Sequence, residues 1–240
     1  MLQHLNAFHK LIMPAKTLFA ITCLSFVSLL LPAQNPPGPP VETNDPSAKK
    51  VLDRLRKKYE AYQTFEASFS LTVEVPGEPK DIQKGTVGQQ GDKFKLDMNQ
   101  QVIVDDTKTT WIYLKKNNEI QINNSEPSGS DASFLTPREL LRRYQKGDFL
   151  YAITDKVTEG SKVITQIEFK PKDKKSEYSK IRLSVDEKAG TIQSIKAFGK
   201  DGSRYTFSIT RFTPNKPLAA DYFVMDPKKY PGARVEDLRM

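Results

Sequence analysis

The chain has 240 residues, of which 38% are hydrophobic and 28% charged, and a formal net charge of +8. Its one cysteine is Cys23 and its two histidines are His4 and His9. Beyond them the chain has no residues for disulfides, cysteine-rich zinc sites, Ser-His triads or Cys-His dyads, and we expect neither a metal nor a cofactor. The opening residues read as an export signal. Lys10 and Lys16 precede an apolar stretch over 17–31, and Pro32-Ala33-Gln34 follows it. A basic start, an apolar run of about fifteen residues and a small residue at the exit describe a secretory signal peptide, here 1–33. A membrane span needs about 20 apolar residues. Removing the signal takes away Lys10 and Lys16 and lowers the net charge from +8 to +6, which suits an anionic surface or an acidic partner.

Residues 35–40 read NPPGPP, a composition that favours extended polyproline conformations. We take 34–44 as a tether and 45–240 as one domain. Asp45 then offers a helix N-cap with Pro46 at the first helical position. Val51, Leu52, Leu55, Tyr59 and Tyr62 recur at helical spacing, with Lys49, Arg54, Lys57 and Lys58 on the other side. This spacing predicts an amphipathic helix of about five turns that packs on a sheet.

From Phe65 the period changes to two. Phe65, Ala67, Phe69, Leu71 and Val73 alternate with polar residues, which predicts a half-buried strand ended by Pro76-Gly77. Turn signals follow at Gly91-Asp92, Asp105-Asp106, Asn117-Asn118, Ala189-Gly190 and Asp201-Gly202. Tyr205, Phe207 and Ile209 alternate again near the end. Many strands joined by short reversals predict an antiparallel meander, either a barrel or a strongly curled sheet. The meander is interrupted once. Thr136 and Glu139 form a capping box with Pro137 in the first turn, and Leu135 and Leu140 complete a hydrophobic staple. A short helix follows through about Gln145, carrying Leu140, Leu141 and Tyr144 on one side.

Residues 101–123 pose a problem. Val102, Ile103 and Val104 are apolar in succession, and so are Trp111, Ile112 and Tyr113. Side chains alternate across a strand, so such runs put apolar groups on both faces of a sheet. The residues at hand suggest that the two helices cover one face as a lid.

The run Val102-Ile103-Val104-Asp105-Asp106-Thr107-Lys108-Thr109-Thr110-Trp111-Ile112-Tyr113 resembles the "VSDGKTLWFY" hairpin of the LolA family, the periplasmic outer-membrane lipoprotein carriers. Glu119-Ile120-Gln121-Ile122 stands where the next strand is expected, and Tyr222-Phe223-Val224-Met225-Asp226 before Pro231-Gly232 fits the family's end. The resemblance covers roughly 46–240. Gly202 and the strands at 180–185 and 204–209 are similar to members of the Bacteroidetes type. The resemblance implies a mainly β fold with α elements: a strongly curved, unclosed antiparallel half-barrel whose N-terminal and inserted helices form a lid over an apolar cavity. It implies binding the acyl chains of lipoproteins in the periplasm, as a monomer. The implied partners are acylated lipoproteins, the inner-membrane lipoprotein-releasing ABC transporter and an outer-membrane acceptor. The chain departs from the family in two places. Thr107 replaces the turn glycine. A lid-locking arginine of better-known members falls near Gln89 or Gln90, so the lid is expected to sit more open.

The expected cavity walls are Phe69, Leu71, Phe94, Leu96, Met98, Val104, Trp111, Tyr113, Ile122, Phe207 and Ile209. The expected lid residues are Val51, Leu55, Leu140, Leu141 and Tyr144. Each of these also suits ordinary core packing. The cargo sets the scale: a triacylated anchor has on the order of 40 methylenes, a gross transfer term of about 30 kcal/mol. A carrier must offer an apolar compartment of comparable capacity.

Two rival functions stay open. One is an envelope module that senses lipids or lipoproteins on the same scaffold. The other is an enzyme built from carboxylates, but Glu66, Glu74 and Glu119 show no convergence of the kind a glycosidase needs, so no catalytic residue is assigned. Scattered charge and no recognition motif argue against nucleic acid. The basic residues Lys170, Lys172, Lys174, Lys175 and Lys180 surround a polar hairpin at Pro171. They read either as a solvated edge that resists strand pairing or as a dock for anionic lipid or an acidic partner.

Overall fold

The computed structural model describes residues 42–125, 136–160 and 162–239. The expected signal peptide, the tether up to residue 41 and Leu135 of the expected staple lie outside the described residues. Two helices and a sheet of twelve strands make up the described fold.

Helix α1 spans Pro46–Glu60 and begins as the sequence predicts. The Asp45 carboxylate accepts from the Ser47 N–H at 2.7 Å, with Pro46 in the first turn. It buries Ala48, Val51, Leu52, Leu55 and Tyr59, while Tyr62 lies beyond its end. Helix α2 spans Pro137–Lys146. Thr136 caps it by accepting from the Glu139 N–H at 3.3 Å, and Gly147 closes it in the left-handed region at φ 82°.

The strands are β1 (Thr64–Glu74), β2 (Asp81–Gln90), β3 (Lys93–Met98), β4 (Gln101–Asp105), β5 (Thr109–Leu114), β6 (Glu119–Asn124), β7 (Phe149–Glu159), β8 (Lys162–Pro171), β9 (Tyr178–Asp186), β10 (Thr191–Gly199), β11 (Arg204–Pro214) and β12 (Arg234–Asp237). Their order is β12-β6-β5-β4-β3-β2-β1-β11-β10-β9-β8-β7, so β2 and β1 pair at the centre, β11 follows β1, and the sheet stays unclosed. Among these strands only β12 runs parallel to its neighbour, β6; the other neighbouring strands are antiparallel. Bulges at Ser68/Phe69, Ile153/Asp155, Ile192/Ser194 and Phe198/Gly199 add bend to the twist that a long sheet already has. The fold is the curved, unclosed, mainly β sheet with two helices that the sequence leads one to expect. The inserted helix enters after six strands.

The expected turn residues sit where a left-handed backbone is required, among them Gly77, Gly91, Asn118, Gly190 and Gly202. Thr107 is the exception in kind. It holds φ 80°, a conformation costly for a β-branched residue. The turn therefore keeps the geometry of a glycine turn without the glycine. Asp105 Oδ1 accepts from the Thr107 N–H at 2.7 Å, and Asp106 Oδ1 accepts from the Lys108 and Thr109 N–H groups at 2.9 and 2.8 Å. Thr107→Gly is expected to stabilise the fold by about 1 kcal/mol, the strain released less the extra backbone entropy of glycine. A thermal melt should move up by about 2–4 °C; a downward shift would show that the turn carries no strain.

Candidate functional site

Residues directly opposite each other on neighbouring strands point to the same side of the sheet. The register therefore defines two faces. On the first, called here the helix face, lie Phe65, Ala67, Phe69, Leu71 and Val73 of β1 and their partners Phe207 and Ile209 of β11. It continues through Ile195 and Ala197, then Ile181 and Leu183, then Ile167 and Phe169, to Tyr151 on the edge strand β7. In the other direction it runs through Val87, then Leu96 and Phe94, then Ile103, then Ile112.

The two halves of this face differ. From β7 to β10 it is filled core: Phe169, Ile167, Ile181, Leu183, Val185 and Ile195 are fully buried. Both helices press on this half. Tyr144 of α2 packs edge-on against Tyr151 with ring centroids 5.1 Å apart, and the Tyr59 phenol of α1 accepts from the Ile192 N–H at 3.2 Å. Burial pushes that phenol up to about 12. Toward β3–β5 the cover thins. Phe94, Leu96, Ile112 and Leu114 are only half-buried, and so is Ile209. Between the halves Phe69 stacks on Phe207 at 4.6 Å, above Gly85. A Cβ on Gly85 would lie 2.3 Å from the Asp97 carbonyl oxygen and 3.0 Å from Phe69 Cζ, so only glycine lets that ring lie against the strand.

The opposite face explains the doubled apolar runs. Val102 and Val104 of β4, Trp111 and Tyr113 of β5, and Ile120 and Ile122 of β6 point away from the helices. Phe223 and Met225 pack with Val102, Val104 and Ile120, and Leu218, Tyr222, Tyr230 and Ala233 extend the cluster. A C-terminal strap, not the lid, covers this second face. Gly88 makes room for it, since a Cβ there would sit 2.3 Å from Tyr222 Oη. The Tyr113 and Tyr230 rings stand 4.4 Å apart, and β12 then lies along the β6 edge.

The expected cavity walls are thus divided by the sheet. Phe69, Leu71, Phe94, Leu96, Met98, Phe207 and Ile209 share the helix face. Val104, Trp111, Tyr113 and Ile122 do not: they lie under the strap, because Leu96 pairs with Ile103 and Asp97 with Val102. Ile112 and Leu114 take their place on the helix face. Sequence reasoning misses them because a run of apolar residues carries no alternation, and only the short turn between β3 and β4 fixes the parity. Within the helix face, Phe69, Leu71, Met98 and Phe207 are buried, which makes them core in this state, and only Phe94, Leu96 and Ile209 of the expected walls are half-buried.

Val51, Leu55, Leu140, Leu141 and Tyr144 lie buried beneath the helix pair. Among the described residues no arginine ties the helices to β2. The Gln89 amide donates to the Gly91 carbonyl of its own hairpin at 3.0 Å. The helices are bound to each other and to the β7 edge instead. The Tyr144 phenol donates to Asp53 at 2.9 Å, and Arg138 donates to the Tyr62 carbonyl at 3.3 Å. Asp45 donates its N–H to the Tyr151 carbonyl at 2.9 Å and accepts from the Ile153 N–H at 3.1 Å. Lys49, hydrogen-bonded to Asp53, holds that carboxyl below the usual carboxylate range, with Tyr144 adding to the effect.

A recess beside α1 is lined by the charged Arg54, Lys58, Glu187 and Lys188 together with Leu55, Ala189 and Gly190. The carboxylates weighed for catalysis are separately paired: Glu66 with Lys216, Glu74 with Lys196 at 3.8 Å, Glu119 with Arg234 at 3.1 Å. Among the described residues no group of His, Cys, Asp and Glu is placed to hold a metal ion, and no helix is long and apolar enough to cross a membrane.

A family model described as "Outer membrane lipoprotein carrier protein LolA" matches residues 60–226. An uncharacterized conserved protein from Thermus thermophilus has a similar solved structure, with a TM-score of 0.51 at 12% identity over 80% of this chain and 99% of that one. The LolA superfamily protein NE2245 from Nitrosomonas europaea gives 0.41 at 13% identity over 75% of this chain and 98% of its own. At such identities the likeness concerns the fold alone. The uncharacterized protein MJ0687 of Methanocaldococcus jannaschii is 29% identical over 77 residues, and the chain spans only 23% of its length.

Proposed function

This chain belongs to the LolA family of outer membrane lipoprotein carrier proteins, and from that premise we propose that its helix face takes up the acyl chains of lipoproteins and carries them through the periplasm from the inner to the outer membrane. The observation that carries this reading is the unequal cover of two equally apolar faces. The strap buries Val102, Val104 and Ile120 and packs on the half-buried Trp111, Tyr113 and Ile122, whereas on the other face Phe94, Leu96, Ile112, Leu114 and Ile209 stay half-buried around the buried Ile103 and Phe207. Partly exposed apolar groups that cluster mark a binding site more often than scattered ones do. Cargo enters along this strip, and displacement of the helix pair from the filled half enlarges the compartment.

In this reading the protein performs no chemistry. It works as a monomer, loaded by an ABC transporter in the inner membrane and emptied into an outer-membrane acceptor, with the export signal placing it in the periplasm. The test uses a dansyl-labelled fatty acid and the mature protein. Blue-shifted dansyl emission that saturates at about one probe per protein supports the reading; no uptake by a folded sample contradicts it. Trp111 lies under the strap, so its emission should stay constant, and a useful tryptophan reporter belongs at Leu96 or Ile112.

Release of the helix pair should govern the rate. Tyr144→Phe removes the phenol that reaches Asp53 and is expected to cost about 1 kcal/mol of stability, while the fatty acid enters several-fold faster in a stopped-flow trace. Unchanged entry would place the gate elsewhere.

A further inference from the structure

The strap packs on this face at β4–β6, and at β8–β11 the chemistry of the same face changes. Across β2, β1, β11, β10 and β9 runs a row of directly opposed residues: Lys84, Ser70, Ser208, Ser194 and Ser184. The next row holds Thr72, Thr206, Lys196, Arg182 and Glu168. Beyond it Glu74, Arg204, Phe198 and Lys180 oppose one another. The Phe198 ring is ringed by cations. Lys180 Nζ lies 5.0 Å from its centroid, Lys196 Nζ 5.4 Å and Arg182 Cζ 5.5 Å.

Two carboxylates serve this group. Glu168 is 3% exposed and is shared by Lys180 at 2.5 Å and Arg182 at 3.5 Å. Glu74 is shared by Lys196 at 3.8 Å and Lys80 at 3.9 Å. Arg182 Nε is buried with no hydrogen-bond partner among the described residues. Burial, and after it the charges of Arg204 and Arg182, hold the Lys196 ammonium below the ordinary lysine range against the pull of Glu74.

We propose that this hydroxyl-lined, cation-rimmed patch around Phe198 is a docking surface for an acidic protein partner. Phe198 beside Arg182 and Arg204 has the make-up of an interface centre, and the lysines and the row of serines have that of its polar rim. The excess of positive charge gives attraction and orientation to an acidic surface. A bilayer suits this patch less well. It lies on the side of the sheet away from the acyl strip, so a membrane held here would leave the strip facing the wrong way, whereas a protein held here leaves it free. That choice of occupant rests on the carrier reading; the patch itself does not.

The test measures anisotropy of a fluorescein-labelled Glu/Ser-rich peptide with the mature protein at low salt. Binding should weaken about tenfold in the double variant Lys180→Gln, Lys196→Gln. The equal loss of charge in Lys108→Gln, Lys228→Gln should change it by less than about twofold. Ser194→Tyr, which alters no charge, should also weaken it by blocking the serine row. Phosphatidylglycerol vesicles should not displace the peptide, and every variant should still take up the dansyl fatty acid. Equal effects of both double variants, no effect of Ser194→Tyr, displacement by the vesicles, or no binding at all would each overturn the proposal. Loss of fatty-acid uptake by the wild-type protein would instead strike the carrier reading.

Discussion

Leu96→Glu is expected to remove most acyl-probe uptake while leaving the domain folded, and Leu71→Glu to unfold it. Both leucines point to the helix face, yet their surroundings differ. Leu71 is 4% exposed, held between Gln83 of β2 and Phe207 of β11. A carboxylate there has no route to water, and burying it costs several kcal/mol against a total stability of about 5–15 kcal/mol. Leu96 is half-buried, so a glutamate can turn its charge to solvent at small cost. It would still lie in the path of a hydrocarbon chain. A penalty of about 3 kcal/mol on the bound state lowers affinity roughly a hundredfold. Fluorescence titration beside a thermal melt separates the two effects. A stable Leu71→Glu protein, or a Leu96→Glu protein with full uptake, would show that the face is divided differently.

A chain ending at Lys216 is expected not to accumulate as soluble protein. It would lack Phe223 and Met225, which are 6% and 4% exposed, and would uncover Val102, Val104 and Ile120. At about 1.5–3 kcal/mol for each large apolar side chain, the loss approaches the whole stability of an ordinary domain. The β6 edge would also lose β12 and stand open to pairing with other chains. A milder form of the same test is Gly88→Val, whose side chain must displace Tyr222 at about 1–3 kcal/mol. Expression and solubility of the shortened chain, with melts of Gly88→Val, check both. A soluble shortened chain with the native melting temperature would mean that the strap is ornamental.

These contrasts also mark what the sequence could disclose. Alternation is strict along β1 and over Tyr205, Phe207 and Ile209 of β11, before its bulge, so Phe69, Leu71 and Phe207 were assignable to one face from sequence alone. The helix starts were legible for a local reason: Asp45-Pro46 and Thr136-Pro137 carry their caps within a few residues. The doubled apolar runs of β4 and β5 were legible as a problem but not as a solution. Their cover comes from residues more than a hundred positions away, in a strap with little periodicity of its own. Trp111, an obvious choice for a cavity wall by size, falls on the other face for that reason. The basic patch around Phe198 was equally hidden. Lys180, Arg182, Lys196 and Arg204 belong to three strands, and only their register brings them together.

The most direct measurement places a photo-crosslinking amino acid at position 96 or at position 111 and illuminates the protein in the envelope of its own cells. Mass spectrometry then looks for adducts with acylated proteins. An acyl-carrying helix face predicts adducts from position 96 and none from position 111, beneath the strap. Adducts from position 111 alone, or from neither position in a folded and exported protein, would contradict it.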